Sequence, residues 1–362
     1  MAADDRQALI EFLVGLGASE EDLAQYAAEL PGLASVLALR LGRPTLTLAD
    51  MAARSGVPVE VVTQRWRAAG FPDPGPGVPV ASEGEAEVFT MLDAAEKLFG
   101  RDAVLQLTRV MGLATARIAD AAVSAFLVNL ELPQLGGEQV DLAVAKANAE
   151  AVTLLPILFR GIEVLLRRHL LAARRSLVSV DRQAGVEVQQ LAVGFVDLVG
   201  STALGQRLST AALGTALGEF EAIVTDTVTD LGARVVKLIG DEVMYSVADP
   251  VAACRVALAL TDALRAHPVL PPVRGGIASG AVMLRDGDCF GRIVNLAARA
   301  VKLARPGYVV VSSDVRTAVQ GSFACAPLPP ARSRVSTARS SCSSSPAKRA
   351  AAKSRAPAVA VW

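Results

Sequence analysis

Histidine and cysteine are scarce in this chain of 362 residues, and neither occurs in a pattern typical of a metal site. The two histidines are His169 and His267, and the four cysteines form no closely spaced pair. Structural zinc sites need four Cys or His ligands at short, paired spacings, so a zinc site of this kind is not expected. The cysteine pattern instead favours free thiols in a reducing compartment.

The sequence also lacks a net charge, a signal-peptide pattern and a membrane-spanning pattern. Lys plus Arg and Asp plus Glu each number 36, so the overall charge favours no particular partner. Asp4 and Asp5 stand where a signal peptide would have its basic and apolar start. The most apolar stretch, Ala151 to Leu166, contains Arg160 and Glu163 and is shorter than the roughly 20 residues that cross a bilayer. We therefore expect a soluble, cytoplasmic protein without a membrane partner.

Apolar residues are abundant, at 52% of the chain, and suffice for the packed cores of two ordinary domains. Over residues 8–181 they recur three and four positions apart, and strand signals are few. This periodicity predicts an all-helical domain over residues 1–181. Its long helices are so apolar that they must pack on several sides or against another subunit.

Residues 45–71 of the helical domain have the pattern of a helix-turn-helix unit, with Gly56 in the turn. The segment resembles the first DNA-reading unit of the MerR regulators. Two interpretations stay open: a DNA reader that contacts phosphates through Arg65 and Arg67, or the same fold used only for packing. Few residues of the second helix are basic, which argues against nucleic acid as a partner.

Downstream of Glu187 the pattern alternates between strands and helices. The predicted order is β-α-β-β-α-β-(β)-α-β, which implies an α+β layout with antiparallel strands and helices on one face of the sheet. Strand Gln189 to Asp197 ends in an acid, and residues 234–247 read as a β-hairpin with Asp241 at its tip. Adjacent strands would bring both carboxylates to one sheet edge. Such paired carboxylates are the hard oxygen ligands that magnesium or manganese prefers.

The remaining elements of this half are predicted from local pattern. Leu204 to Leu231 reads as one helix, and Val273 to Ser279 and Val282 to Leu284 as two short strands. Arg285 to Gly291 reads as a loop, and Arg292 to Leu303 as a helix. A helix also begins after Asp197, and its first residues could offer free N–H groups to phosphates. These residues are Gly200, Ser201 and Thr202.

Three motifs in this half, FVDLVGST, ARVVKLIGDEVM and GDCFGRIVNLAAR, together resemble the class III adenylyl and guanylyl cyclases. The resemblance extends over residues 188–325 and implies a ferredoxin-like α+β catalytic domain over residues 182–328. It implies production of cyclic AMP from ATP with two Mg²⁺ or Mn²⁺ ions per site. The implied metal ligands are Asp197, Asp241 and the backbone carbonyl of Leu198. The implied adenine readers are Lys237 and Asp288, and the implied transition-state residues are Asn295 and Arg299.

The physical chemistry of these residues agrees with the implied roles. Adenine offers an acceptor and a donor that Lys237 and Asp288 can match, and guanine presents the opposite pattern. Asn295 and Arg299 lie four apart on a predicted helix and share a face, and the arginine supplies a permanent cation. In the resembled family one subunit supplies the metal acids and its partner supplies the other residues. A homodimer is therefore expected.

The whole chain resembles actinobacterial two-domain cyclases, in which the helical N-terminal half regulates the catalytic half and responds to acidity. His169 lies near Arg167, Arg168, Arg174 and Arg175 in the predicted connector. Neighbouring cations would disfavour protonation of the histidine, which would then charge only at mildly acidic pH. The alternative is a surface histidine without a regulatory role.

The resemblance stops before residues 329–362, which contain seven Lys or Arg and no Asp or Glu. Their Ser- and Ala-rich composition predicts a disordered basic tail. One permitted back-translation of residues 331–345, shifted by two bases, reads ALKGFDGPVELFLL, which matches the segment that closes the sheet in the resembled family. This match raises the hypothesis of a frameshift. A catalytically inactive, cyclase-like sensor is therefore an alternative to an active enzyme.

Overall fold

The structure is a computed structural model that describes residues 3–131, 140–176, 181–183, 186–327 and 359–361. The chain divides into two compact units, Met1–Arg175 and Ser176–Trp362. The first is helical and the second contains a mixed sheet with helices, so the predicted fold class is confirmed.

The described elements of the first unit are all helices. They are α1 (Ala3–Gly15), α2 (Glu20–Gln25), α3 (Leu30–Leu39), α4 (Leu48–Ser55), α5 (Val59–Ala68), α6 (Glu83–Phe99), α7 (Arg101–Phe126), α8 (Val140–Val152) and α9 (Leu155–Ser176). A π-helical turn, Leu127–Glu131, follows α7. Helices α1, α3 and α8 enclose one apolar core, whose buried residues include Leu9, Leu33 and Ala145.

Capping boxes fix the start of three of these helices. Ser19, Thr47 and Ser82 each accept a hydrogen bond from the backbone N–H three residues later, and an acid at that position bonds back to the cap. Each box satisfies N–H groups that have no partner within the helix, which typically stabilises a helix by about 1 kcal/mol.

The predicted helix-turn-helix is present as α4 and α5, with Gly56 in the left-handed conformation (φ 70°) that the turn requires. Arg65 on α5, however, is 1% exposed and forms ion pairs with Asp93 and Glu96 of α6. The prediction that Arg65 could contact DNA phosphates is therefore wrong, because its charge is buried and paired. Arg67 is exposed and pairs with Asp73. These contacts favour the packing interpretation of the unit.

Large apolar side chains remain exposed on α6, α7 and α9. On α9 they are Ile157, Phe159, Val164, Leu165, Leu166, Leu170 and Leu171. Among the described residues one helix, Arg101–Asn129, is long and apolar enough to cross a membrane by length and composition, and 6% of its most apolar window is buried. The apolar stretch Ala151 to Leu166, singled out from the sequence, is not part of this helix.

The second unit contains nine described strands. They are β1 (Asp181–Gln183), β2 (Val186–Leu198), β3 (Arg234–Ile239), β4 (Glu242–Val247), β5 (Val273–Arg285), β6 (Asp288–Phe290), β7 (Val309–Val311), β8 (Cys325–Pro327) and β9 (Val359–Val361). Its described helices are α10 (Ser201–Arg207), α11 (Thr210–Asp230), α12 (Pro250–Arg265), α13 (Arg292–Leu303) and α14 (Ser313–Ala318).

The strands form one sheet in the order β3-β4-β2-β5-β7-β9-β8, in which β1 also pairs with β2 and β6 with β5. The central pairs are antiparallel, whereas β7 is parallel to β5. The predicted hairpin is confirmed as β3 and β4 around Gly240 and Asp241, and Gly240 has the positive φ (64°) of a tight turn.

Helices cover both faces of the sheet, so the expectation of helices on one face was wrong. Phe220 of α11 and Cys254 of α12 join one core with Val196 of β2. Ala297 and Val301 of α13 join a second core, on the opposite face. Gly276 on β5 permits the close packing of α13 on this face: a Cβ there would lie 2.2 Å from the Val301 nitrogen, so only glycine lets the helix approach the strand this closely.

Three local predictions were also wrong. Val273–Arg285 is one continuous strand rather than two. The expected loop after it folds back as β6, because Asp286 and Gly287 (φ 56° and 81°) make the tight turn of a hairpin. The helix expected over residues 204–231 is divided, since Ser209 caps the start of α11.

Most of the predicted tail, residues 329–358, lies outside the described residues. Val359–Val361 form strand β9 between β7 and β8, which the prediction of a disordered tail did not include.

Candidate catalytic site

The two acids expected to hold metal lie next to each other at one edge of the sheet. Asp197 stands directly opposite Glu242 in the β2–β4 ladder, one residue after Asp241. The backbone N–H of Leu198 donates to the carbonyl oxygen of Asp241 at 3.2 Å. Strand pairing thus brings the end of β2 and the tip of the β3–β4 hairpin together, as the sequence predicted for these two carboxylates.

A third acid, Glu242, enlarges the negative charge at this edge. Burial raises the pKa of the Glu242 carboxyl, and the carboxylates of Asp197 and Asp241 raise it further. Lys302 and Arg274 are close enough to lower it. The net effect is upward, so burial and the neighbouring carboxylates outweigh the two cations. Such an edge attracts cations.

Arg274 on β5 is the main counter-charge, and the sequence analysis did not single it out. It stands opposite Asp197 in the β2–β5 ladder, and its Nε and Nη2 both donate to Asp197 Oδ2, at 2.8 and 2.7 Å. The Asp197 side chain is 16% exposed and that of Arg274 30%. Charge-assisted hydrogen bonds of this kind fix both side chains.

Lys237 and Asp288, the expected base readers, form an ion pair. Lys237 comes from β3 and Asp288 from β6, and the second carboxylate oxygen of Asp288 accepts the backbone N–H of Cys289 at 2.8 Å. Both side chains are partly exposed, so a ligand can reach them. One chain therefore assembles a donor and an acceptor side by side.

Asn295 and Arg299 are both exposed on α13. Neither side chain forms a hydrogen bond or an ion pair with any other part of the chain that the structure describes. Gly200 begins α10 with a left-handed conformation (φ 84°), followed by Ser201 and Thr202 in its first turn. These positions agree with the predicted helices.

The expected site residues therefore form separate groups within one chain. Over the described residues, no hydrogen bond or ion pair connects Asp197 or Asp241 with the Lys237–Asp288 pair. The same residues contain no group of three or more His, Cys, Asp or Glu side chains that could hold a metal ion by themselves. Additional ligands would have to come from the backbone, water or a bound substrate.

His169 lies on α9 with an exposed side chain. In an α-helix the surface neighbours of a residue are three and four positions away. For His169 these positions are occupied by Leu165, Leu166, Ala172 and Ala173. The histidine thus has apolar neighbours on its face of the helix, rather than the arginines that adjoin it in sequence.

Comparison with known proteins gives matches over both units. The family model described as the adenylate cyclase regulatory domain matches residues 1–171. The adenylate and guanylate cyclase catalytic domain matches residues 185–332. An adenylate cyclase of Streptomyces coelicolor is 34% identical over 268 residues, which are 72% of this chain and 68% of that protein. The chain belongs to the class III nucleotidyl cyclases.

Two mycobacterial proteins align over most of this cyclase. An uncharacterized protein of Mycobacterium tuberculosis is 35% identical over 314 residues, covering 86% of this chain and 83% of its own length. A protein of the same species named as a pH-sensitive adenylate cyclase is 29% identical over 327 residues, or 88% of this chain and 81% of that protein. The predicted order of a helical N-terminal region followed by a cyclase domain is confirmed. The roles of individual residues stay predictions.

Proposed function

We propose that this cyclase converts ATP to 3′,5′-cyclic AMP and pyrophosphate by in-line cyclisation at the interface of a homodimer. The observation that carries the proposal is the convergence of Asp197 and Asp241 at one sheet edge. The Streptomyces coelicolor relative is named as an adenylate cyclase, and this name supports ATP as the substrate. In this reaction the ribose 3′ oxygen attacks the α-phosphorus, and pyrophosphate leaves.

In this proposal the acidic edge would bind two divalent cations, with further ligands from the backbone, water and the substrate. Asp197, Asp241 and the backbone carbonyl of Leu198 would hold Mg²⁺ or Mn²⁺, which prefer oxygen ligands and keep sites for phosphate oxygens. When bound, a metal pair lowers the barrier by activating the attacking hydroxyl and neutralising the leaving group. The pKa of Glu242 is raised first by burial and then by the carboxylates of Asp197 and Asp241, and the contribution of these two carboxylates is consistent with a site that attracts cations.

Arg274 has a further role in this proposal. Its guanidinium donates two hydrogen bonds to one oxygen of Asp197. A triphosphate offers the same guanidinium a more highly charged partner, so substrate binding would transfer Arg274 to phosphate and free the carboxylate. The N–H groups of Gly200, Ser201 and Thr202 would contact the phosphates as well.

Lys237 and Asp288 would select the base. Lys237 would donate to the adenine ring acceptor, and Asp288 would accept from the exocyclic amino group. A matched donor and acceptor reject a base with the reversed pattern, because both groups of the protein would then lose their partners.

Asn295 and Arg299 would act on the site of a second copy of the chain. Asn295 would orient the ribose, and Arg299 would stabilise the charge that develops at the α-phosphorus. Their exposure, without partners in the described part of their own chain, supports this arrangement. A two-fold dimer would then contain two identical sites.

A mixing experiment tests both the reaction and the shared site. Full-length Asp197→Asn and Arg299→Ala should each be inactive in an assay of cyclic AMP from ATP with Mn²⁺. When the two are mixed and allowed to exchange subunits, half of the dimers are mixed and have one intact site. We expect recovery of about a quarter of the wild-type activity.

The matched control is a mixture of Asp197→Asn with Asp241→Asn. Each variant lacks one of the two proposed metal-binding acids, and both acids of a site come from the same chain. Every site of a mixed dimer therefore lacks an acid, and no activity should return. Inactivity of the wild-type protein with ATP would contradict the proposed reaction and support the inactive sensor. Full activity of both single variants would contradict the assigned roles, and exchange without recovery would contradict the shared site.

We propose that the helical domain regulates this activity. The family that matches it is described as the adenylate cyclase regulatory domain, and one relative is named as a pH-sensitive adenylate cyclase. We retain His169 as the candidate acid-responsive residue. Its protonation would place a charge in the apolar face of α9, immediately before the catalytic unit begins. A cytoplasmic location also stays part of the proposal.

A further inference from the structure

Arg234, the first residue of β3, binds the turn that precedes Asp288. Its Nη2 donates to the carbonyl oxygen of Gly287 at 2.6 Å. Gly287 is the second residue of the tight turn between β5 and β6, and Asp288 follows it directly. The position of the Asp288 backbone is therefore connected to β3 by a hydrogen bond that does not involve the Asp288 side chain.

A β-bulge in β3 allows two residues of this strand, Arg234 and Lys237, to contact the β5–β6 hairpin. Arg234 stands opposite Ser246 and Lys237 opposite Met244, so the register shifts by one residue between them. Ser246 and Met244 are two apart on β4 and share a face, so Arg234 and Lys237 also share a face of β3. In a regular strand, residues three apart would point to opposite faces. The bulge thus directs both cations to the β5–β6 hairpin.

The Lys237–Asp288 pair is too exposed to fix the hairpin without help. Its side chains are 40% and 27% exposed, and ion pairs with this access to water contribute little to stability. A base must also compete for both groups when it binds. Arg234 is exposed as well, and what distinguishes its hydrogen bond is the acceptor: a backbone carbonyl is not a group for which the base competes, so this bond can hold the turn while the pair opens.

We infer that Arg234 is a positioning residue for base recognition, which holds the β5–β6 turn so that Asp288 meets the exocyclic amino group of adenine. Arg234 acts through Asp288 and does not touch the base. The inference rests on the proposed roles of Lys237 and Asp288. Its consequence is that selection between ATP and GTP depends on a residue outside the base-reading pair.

The test compares kcat and KM for ATP and for GTP in the full-length protein with Mn²⁺. Arg234→Ala should lower the ratio of kcat/KM for ATP to that for GTP by about tenfold, mainly through a higher KM for ATP. Arg234→Lys can still donate to the carbonyl and should retain the ratio within about threefold of wild type. Arg255→Ala, an exposed arginine on α12, is the matched control and should not change the ratio.

A double variant separates positioning from general stability. In an Asp288→Ala background, Arg234→Ala should cause no further loss of the ratio, because the residue through which it acts is gone. A ratio lowered by Asp288→Ala but unchanged by Arg234→Ala overturns the inference and leaves the base-reading proposal intact. If Asp288→Ala leaves the ATP-to-GTP ratio of kcat/KM unchanged, the base-reading proposal itself is overturned. Equal loss of activity for both nucleotides, with a lower Tm, would reduce Arg234 to a structural role and also overturn the inference.

Discussion

The two units of this cyclase bury their apolar helices to very different extents. Helix α12 of the catalytic unit has seven buried residues, including Cys254, Leu260 and Leu264, and packs against the sheet. Helix α9 of the helical unit is longer, but none of residues 155–174 is buried. Both helices are amphipathic, so sequence periodicity alone gives them the same expected burial.

The difference indicates what each unit does with its apolar surface. In the second unit that surface is used for folding, and strand register brings Asp197, Glu242 and Arg274 together at one edge of the sheet. In the helical unit much of it stays available on α6, α7 and α9. Exposed apolar surface of this extent is typical of a site that interacts with another protein surface or a membrane.

The largest expected effect comes from truncating one leucine in each helix. Leu260→Ala on α12 should lower the free energy of unfolding by about 4 kcal/mol, because Leu260 is fully buried and its removal leaves a cavity. Leu165→Ala on α9 should change it by less than about 0.5 kcal/mol, because that side chain is 58% exposed. Urea unfolding of the full-length variants at low protein concentration measures both. Equal losses would mean that the apolar face of α9 is covered in solution, and the comparison between the units would not hold.

A second test concerns the buried charge of the helical unit. Arg65→Met should destabilise this unit by about 3 kcal/mol, because it leaves the largely buried Asp93 and Glu96 without their cation. Arg67→Ala removes an equivalent charge from the exposed pair with Asp73 and should leave the unfolding transition nearly unchanged. Thermal unfolding monitored by circular dichroism distinguishes the two variants. A stable Arg65→Met protein would show that α5 and α6 do not depend on this ion pair.

The sequence predicted those parts of the site that depend on local pattern. A tight turn needs only neighbouring residues, so the hairpin with Asp241 at its tip was predictable, as was the strand that ends at Asp197. The turn at Asp286 and Gly287 carried the same kind of signal, and recognising it would have predicted β6.

The parts that were missed depend on partners far away in the chain. Arg274 meets Asp197 across 77 residues, through a strand register that one sequence does not reveal. Arg65 was taken for an exposed cation because arginine is rarely buried, and its partners lie 28 and 31 residues away on another helix. The sequence analysis thus missed a charged pair formed by tertiary packing in each unit.

The smallest expected effect is that of His169→Ala, which tests whether the exposed surface of α9 has a regulatory role. His169→Ala should leave the free energy of unfolding and the activity at pH 8 unchanged, since the side chain is exposed and far in sequence from the expected catalytic residues. If protonation of His169 controls the enzyme, the variant should lose any increase in cyclic AMP production that wild type shows between pH 8 and pH 6. The rate profile should be recorded for wild type, His169→Ala and the matched variant His267→Ala. His267 belongs to the catalytic unit, where its Nδ1 accepts the backbone N–H of Leu270 at 2.9 Å and its Nε2 lies 3.2 Å from Glu219. An unchanged pH profile in His169→Ala would contradict a regulatory role of His169. If only His267→Ala loses the increase in activity at pH 6, the acid response depends on His267 of the catalytic unit instead.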